Sequence, residues 1–174
     1  EEALSMILQK CKVKNEKSIT RVFRTISELE PGHYTIGAGN SSMYVARMLS
    51  AGWQTPVNLV LSGTMRSEDV IARKVSNQMM IDSLSALSVL NDEAILDSIG
   101  IEKEFLYAYI IPDTYQVYWT ESMVEVLERL KKEYDAFWSS ENLAKAEALG
   151  LDKKEVSILA SIVSSETNHV VEMP

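Results

Sequence analysis

Glu166 is the residue best placed to do chemistry, because it lies near the end of the last helix that the sequence predicts. The apolar face of that helix is formed by Val156, Leu159, Ala160 and Val163. Glu166 follows Val163 by three residues and Leu159 by seven, so it extends the same face. Apolar surroundings and the negative end of the helix dipole both disfavour an ionised carboxylate. Such a glutamate would be a general acid that keeps its proton near neutral pH.

The alternative for Glu166 is an ordinary solvated carboxylate. If the helix frays before this residue, water surrounds the carboxyl group, and this is the commoner situation because carboxylates with shifted pKa values are a minority.

Glu166 and His169 also have the E-x-x-H spacing of di-iron carboxylate sites, but such sites need a second pair and further glutamates. His33 is the only other histidine of the sequence, so no metal site is expected.

Two other patterns are better explained by structure than by chemistry. Gly37, Gly39 and Ser42 lie between a predicted strand and a predicted helix, as in nucleotide-binding loops, but the third glycine and a following parallel βαβ unit are missing. A tight turn with a helix N-cap explains this pattern. The serines of the last helix have no G-x-S-x-G elbow and no His-Asp partners, so they are weak nucleophile candidates.

The composition excludes several classes of protein. The chain has 174 residues and a net charge of −8, with no cluster of Lys and Arg, so nucleic acid is not an expected partner. Cys11 is the only cysteine and cannot form an intrachain disulfide. The longest apolar run, 105–111, is too short for a membrane span. Because both ends interrupt apolar patterns, we expect this sequence to be a piece of a longer protein.

The elements that must position Glu166 follow from hydrophobic periodicity and from turn and cap residues. The sequence indicates an α+β fold with two parts, residues 1–64 and residues 65–174, the second mostly helical. Strands are predicted at 33–36, 56–62 and 105–111. Helices are predicted at 1–12, 18–26, 40–49, 70–79, 83–90, 92–99, 120–139, 141–149 and 153–165.

Three segments of the sequence resemble known motifs, in register along nearly the whole chain. Residues 33–46 resemble the opening strand, turn and helix of a LysM module. Ile110-Ile111-Pro112-Asp113-Thr114-Tyr115, and Leu159 to Val163 followed by Glu166-Thr167, resemble the P-D-T-Y and L-A-S-I-V-x-x-E-T signatures of the YceG-like family of endolytic murein transglycosylases, the MltG type. Many members carry another glutamate where Ser164 stands, so Glu166 is the remaining carboxylate of this motif.

The resemblance implies a lyase of the bacterial envelope that cuts nascent peptidoglycan glycan strands. Its members cleave between N-acetylmuramic acid and N-acetylglucosamine without water, leaving 1,6-anhydro ends. The implied catalytic residue is Glu166, and the implied substrate-binding residues are Tyr115, Thr167, Ser165 and Asp113. No cofactor or metal is implied.

The resemblance also implies where the protein works and with what. The expected partners are glycan strands and peptidoglycan synthases, and the expected location is the extracytoplasmic side of the inner membrane, held by an N-terminal anchor absent from this chain. The catalytic domain of the family continues beyond this sequence, so this fragment is expected to lack full activity.

Two alternatives remain beside the transglycosylase interpretation. One is a non-catalytic peptidoglycan-binding module, in which the LysM-like part holds glycan and Glu166 is structural. The other is a pyridoxal phosphate-dependent aminodeoxychorismate lyase, a label that the family once carried. That chemistry needs a lysine for a Schiff base, and no lysine lies in an apolar stretch.

Overall fold

The structure is a computed structural model that describes residues 16–24, 28–63, 65 and 67–166. The helix predicted at 1–12 lies outside the described residues. The fold is α+β, as predicted: the described residues form helices and a two-stranded sheet. The helices are α1 Glu16–Phe23, α2 Ser42–Ser50, α3 Glu68–Ser76, α4 Ser83–Asn91, α5 Glu93–Ser98, a 3-10 helix Lys103–Tyr109, α6 Met123–Phe137, α7 Ser140–Ala148 and α8 Lys153–Glu166.

The sheet pairs β1, Val57–Leu61, with β2, Asp113–Val117. The strand predicted at 56–62 is therefore confirmed as β1, whereas β2 was not predicted. The strand predicted at 33–36 is wrong, because this segment pairs with neither strand of the sheet, although it is hydrogen-bonded to Thr55. The amide of Thr55 donates to the carbonyl of His33 at 2.7 Å, and the amide of Thr35 donates to the Thr55 hydroxyl at 3.1 Å.

The strand predicted at 105–111 is also wrong, because most of this run forms the 3-10 helix. The run 105–111 was predicted to be a strand because it is rich in aromatic and aliphatic residues. The residues that are buried, Leu106, Tyr109 and Ile110, nevertheless recur at a spacing of three and four residues. That spacing places them on one side of a helix, whereas a strand would alternate.

Two compact units divide the chain. One consists of Glu1–Asn58 with Gln116–Glu121, and in it α1 contacts α2, whose buried side chains are Val45, Ala46, Met48 and Leu49. The other consists of Leu59–Tyr115 with Ser122–Pro174. Its core includes the fully buried side chains of Leu59, Leu61, Ile71, Leu90, Leu96, Ile101, Leu106, Leu127 and Leu130.

The N-terminus of α6 is held by a capping box. The amide of Glu125 donates to the hydroxyl of Ser122 at 3.3 Å, and the amide of Ser122 donates to the carboxylate of Glu125 at 2.7 Å. These bonds satisfy amide groups that have no partner within the helix.

We expect Ser122→Ala to lower the free energy of unfolding by about 1 kcal/mol, because the N-cap acceptor is lost. Ser140→Ala is the matched control, since Ser140 is exposed on the first turn of α7. Urea unfolding of both variants measures the difference. Equal midpoints would show that the box contributes nothing to stability.

Candidate active site

Helix α8, Lys153–Glu166, carries Glu166. The helix starts with a reciprocal cap: the amide of Asp152 donates to the carboxylate of Glu155, and the amide of Glu155 donates to the carboxylate of Asp152, both at 2.8 Å. The backbone stays helical as far as Glu166, so it does not leave the helix before that residue. The side chains of 164–166 lie outside the described part of the structure.

The first turns of α8 are fixed to the rest of their unit by two lysines. The Nζ atom of Lys154 lies 2.6 Å from the carboxylate of Glu102 and 4.1 Å from the ring centre of Phe105, at the start of the 3-10 helix. The Nζ atom of Lys153 lies 6.0 Å from the ring centre of Trp138. These contacts place the start of α8 beside the 3-10 helix and Trp138.

The apolar face predicted for α8 is only partly buried. Leu159 is 49% exposed and Ala160 is exposed, whereas Val156 and Val163 are half-buried. The apolar face predicted from the spacing is therefore open to solvent at Leu159 and Ala160. The physical reason is that α8 meets its neighbours through its first turns, and the described residues leave Ile158, 49% exposed, and Leu159 open to solvent.

The P-D-T-Y segment forms the start of β2. Tyr115 is buried, and its hydroxyl donates to the carbonyl of Ile111, which closes the turn around Pro112. Asp113 is exposed, and its carboxylate accepts the amide of Thr114 at 2.6 Å. Burial, then the charges of Asp113 and Glu133, raise the pKa of Tyr115 to about 12. The tyrosine is therefore a neutral donor at all physiological pH values.

Tyr115→Phe is expected to lower the free energy of unfolding at neutral pH by about 1 kcal/mol, because one hydrogen bond is lost. Since the unfolded tyrosine ionises near 10 and the folded one near 12, native stability falls as pH rises from 10 to 12. The variant should lose stability less steeply in that window. Chemical denaturation at a series of alkaline pH values measures the slope, and identical slopes would contradict the burial of this hydroxyl.

The 3-10 helix that precedes this segment is anchored to α3 and α4 through Lys103. Its Nζ atom lies 2.9 Å from Oε1 of Glu68, and it donates to the carbonyl of Leu90 at 2.6 Å and to Oδ1 of Asn91 at 3.1 Å. The hydroxyl of Tyr107 donates to the other oxygen of Glu68 at 2.8 Å. Chiefly because of the bond from Lys103, the pKa of Glu68 falls from 4.5 to about 2.

The structure places only some of the predicted site residues. Thr167 lies outside the described residues, as does His169, and Ser165 is described by its backbone alone. Asp113 and Tyr115 are neighbours on β2, one exposed and one buried. The roles of all these residues in substrate binding, and of Glu166 in catalysis, remain predictions.

Residues 16–24, 28–63, 65 and 67–166 show neither a metal site nor a membrane span. This part of the chain contains no group of three or more His, Cys, Asp or Glu side chains that could hold a metal ion. Among its helices, none is both long and hydrophobic enough to cross a bilayer.

The comparison with protein families decides the assignment, because the YceG-like family matches residues 2–174. The chain belongs to the YceG-like family. The fold agrees: a crystal structure of a protein from Listeria monocytogenes, described as YceG-like, superposes with a TM-score of 0.59 at 15% sequence identity. The match covers 98% of this chain and 62% of the Listeria chain. No curated protein matches this YceG-like chain.

One feature of the surface was not anticipated from the sequence of this YceG-like chain. Tyr44 and Trp53 are exposed side by side, with ring centres 6.1 Å apart. Met43, on the same helix as Tyr44, is 51% exposed. The signal that could have revealed this is Arg47, since Met43 and Tyr44 precede it by four and three residues and therefore share its polar face.

Proposed function

We propose that this chain is part of an endolytic peptidoglycan lytic transglycosylase in which Glu166 is the catalytic acid and base. The supporting observation is the match to the YceG-like family over residues 2–174, which includes both signature motifs. Helix α8 supports the proposal, because it extends without a break from its cap to Glu166.

The spacing of carboxylates on α8 fits chemistry with one carboxylate. Glu155 and Glu166 are the acidic residues of this helix, and Glu155 is engaged in the cap. Eleven residues separate them, so at about 1.5 Å per residue they lie roughly 16 Å apart along the axis. Hydrolytic glycosidases hold their two carboxyl groups about 5 to 9.5 Å apart, so Glu155 cannot be the partner of Glu166.

A transglycosylase of this kind needs no second carboxylate, because its nucleophile belongs to the substrate. Glu166 donates its proton to the glycosidic oxygen as the bond to C1 of N-acetylmuramic acid breaks. The C6 hydroxyl of the same sugar then attacks C1 and returns its proton to Glu166. The products are a free 4-hydroxyl and a 1,6-anhydro ring, and the carboxyl group regains its starting state.

The proposed cycle requires Glu166 to start in its neutral form and polar groups to line the site. In the proposed site, Asp113, Ser165 and Thr167 contact the glycan, and Tyr115 holds the turn that presents Asp113. Polar groups of this kind also stabilise the positive charge that develops on the sugar.

The proposed setting of the enzyme is the bacterial envelope. We place it on the extracytoplasmic side of the inner membrane, anchored by a segment outside this sequence and working beside peptidoglycan synthases. The chain spans 62% of the Listeria structure, so activity is to be measured with the complete protein.

Endolytic cleavage has a distinctive time course. Purified glycan strands incubated with the complete protein should shorten from within, so that the average strand length falls long before disaccharides accumulate. Size-exclusion chromatography of timed samples measures this. Release of disaccharides from the start, without intermediate lengths, would contradict the endolytic assignment, and intact strands would contradict cleavage altogether.

A further inference from the structure

The outer edge of β1 is covered by side chains from the end of α3 and the turn after it. Among the residues that the structure describes, β1 pairs with β2 on one side and has no strand on the other. In a strand, the N–H and C=O of one residue point to the same edge, and those of the next residue point to the opposite edge. The backbone groups of Val60 and the carbonyl of Ser62 bond to side chains of Gln78 and Lys74. Both residues therefore face the outer edge.

The side-chain amide of Gln78 takes the place of a peptide group from a third strand. Its Oε1 atom accepts the amide of Val60 at 2.8 Å, and its Nε2 atom donates to the carbonyl of Val60 at 3.1 Å. Nε2 also donates to the carbonyl of Lys74 at 2.8 Å. Both N–H groups and the oxygen of this amide therefore have partners, and Val60 is bonded as it would be inside a wider sheet.

Gln78 is held against β1 by the turn that follows α3. The amide of Gln78 donates to the carbonyl of Val75 at 3.0 Å, and the side chains of Val75 and Met79 are buried. The Nζ atom of Lys74, four residues before Gln78, donates to the carbonyl of Ser62. A lysine at a strand edge disfavours pairing with another chain. Two side chains therefore protect neighbouring positions of the same edge.

The sequence of β1 would favour pairing if this protection were removed. Its five residues, Val57–Leu61, are uncharged, contain no proline and include two β-branched valines. The side chain of Val60 is 42% exposed, so no other part of the described chain encloses it. Uncharged edge strands of this kind are templates for pairing with another strand.

A second copy of β1 has the geometry to replace Gln78. In an antiparallel sheet, the two residues of a hydrogen-bonded pair exchange both of their N–H···O bonds. In a twofold arrangement centred on Val60, each Val60 would give its counterpart the two bonds that Gln78 supplies in the monomer. The same surface would serve on both copies, as in closed dimers.

We propose that Gln78 blocks an interface between two copies of this chain: its side chain keeps the outer edge of β1 closed, and its removal opens antiparallel β1–β1 pairing centred on Val60. An unrelated extended peptide could form the same two bonds, but a second copy brings the matching strand without any other partner. The proposal is independent of the proposed function, because none of these residues belongs to the proposed catalytic site.

The first test uses the complete protein carrying Gln78→Leu, which keeps the approximate size of the side chain and removes its amide. Asn77→Leu is the matched control, because Asn77 is exposed and the same apolar group is added one residue earlier. Analytical ultracentrifugation over a range of concentrations measures dimerisation. Dimers of Gln78→Leu should form at a concentration about thirtyfold lower than for the unaltered protein, since two hydrogen bonds no longer compete. Asn77→Leu should behave as the unaltered protein does.

Charged residues at position 60 test where the two copies meet. Val60→Lys combined with Gln78→Leu should abolish the dimer, because like charges would face each other across the twofold axis. Val60→Glu combined with Gln78→Leu should be monomeric for the same reason. An equal mixture of these two double variants should form a dimer, because opposite charges then meet.

Any of three results would overturn the proposal: a folded Gln78→Leu protein that does not dimerise more readily, dimers that persist with Val60→Lys, or an equal mixture that stays monomeric. If Gln78→Leu does not unfold cooperatively in urea, Gln78→Glu takes its place. Its carboxylate still accepts the amide of Val60 but cannot donate to the carbonyl. Dimerisation should then shift about fivefold, since one bond is lost, and an unchanged dissociation constant would equally overturn the proposal.

Discussion

Replacing Glu166 with glutamine is expected to lower the rate of strand cleavage by the complete protein about 10³-fold. A general acid or base contributes about 10² to 10⁴, and here one carboxyl group serves both steps in turn. Glutamine has nearly the same shape but cannot donate or accept the proton. Binding of glycan should therefore persist, so the loss should appear in kcat while KM changes little.

Glu155→Gln is the matched control, because Glu155 is the other carboxylate of α8. Glutamine at this position still accepts the amide of Asp152, so the cap of the helix is preserved. Turnover of this variant should equal that of the unaltered protein. Full activity in the Glu166→Gln protein would remove the catalytic assignment and favour the non-catalytic glycan-binding alternative.

The second large effect is expected on stability, from Lys103→Met. Lys103 and Glu68 are each 25% exposed at their side chains, and Lys103 also bonds to Leu90 and Asn91 near the end of α4. Methionine keeps the length of the side chain but leaves a half-buried carboxylate and a helix carbonyl without their donor. We expect the free energy of unfolding to fall by about 2–3 kcal/mol.

Acid unfolding adds a signature specific to this cluster. The folded pKa of Glu68 is about 2 against an ordinary 4.5, so its contribution is complete above pH 4.5 and is lost as pH falls towards 2. In Lys103→Met this loss should be smaller. Lys145→Met is the control, because the ion pair of Lys145 with Glu141 is 67% and 76% exposed and contributes about 0.5 kcal/mol at most. Equal effects of the two variants would contradict the role of the cluster.

Helix positions and caps were largely predictable, because they depend on residues close in sequence. Asp152 and Glu155 mark the start of α8, and Ser67 with Glu68 and Asp69 marks that of α3. The positions of the strands were less predictable from the sequence. The run 105–111 has the composition of a strand, but its register of buried residues becomes visible only when the neighbouring helices pack on it.

At the candidate site, too, the sequence predicted the helix but not what packs against it. Position 166 could be placed on the last helix by its spacing, and α8 does include it. The exposure of Leu159 could not be foreseen, because it depends on what packs against α8 from distant parts of the chain. Trp53 was missed for a related reason: it follows the helix after Gly52, and only the folded turn brings it beside Tyr44.

The origin of the oxygen atoms at the new strand ends tests the central claim most directly. Cleavage of glycan strands by the complete protein in water enriched in the heavy oxygen isotope, followed by mass spectrometry, distinguishes attack by C6 of the substrate from attack by water. The account predicts 1,6-anhydro ends that contain no heavy oxygen and no new reducing ends. Reducing ends labelled with the heavy isotope would contradict it, because they require hydrolysis and a second catalytic group beside Glu166.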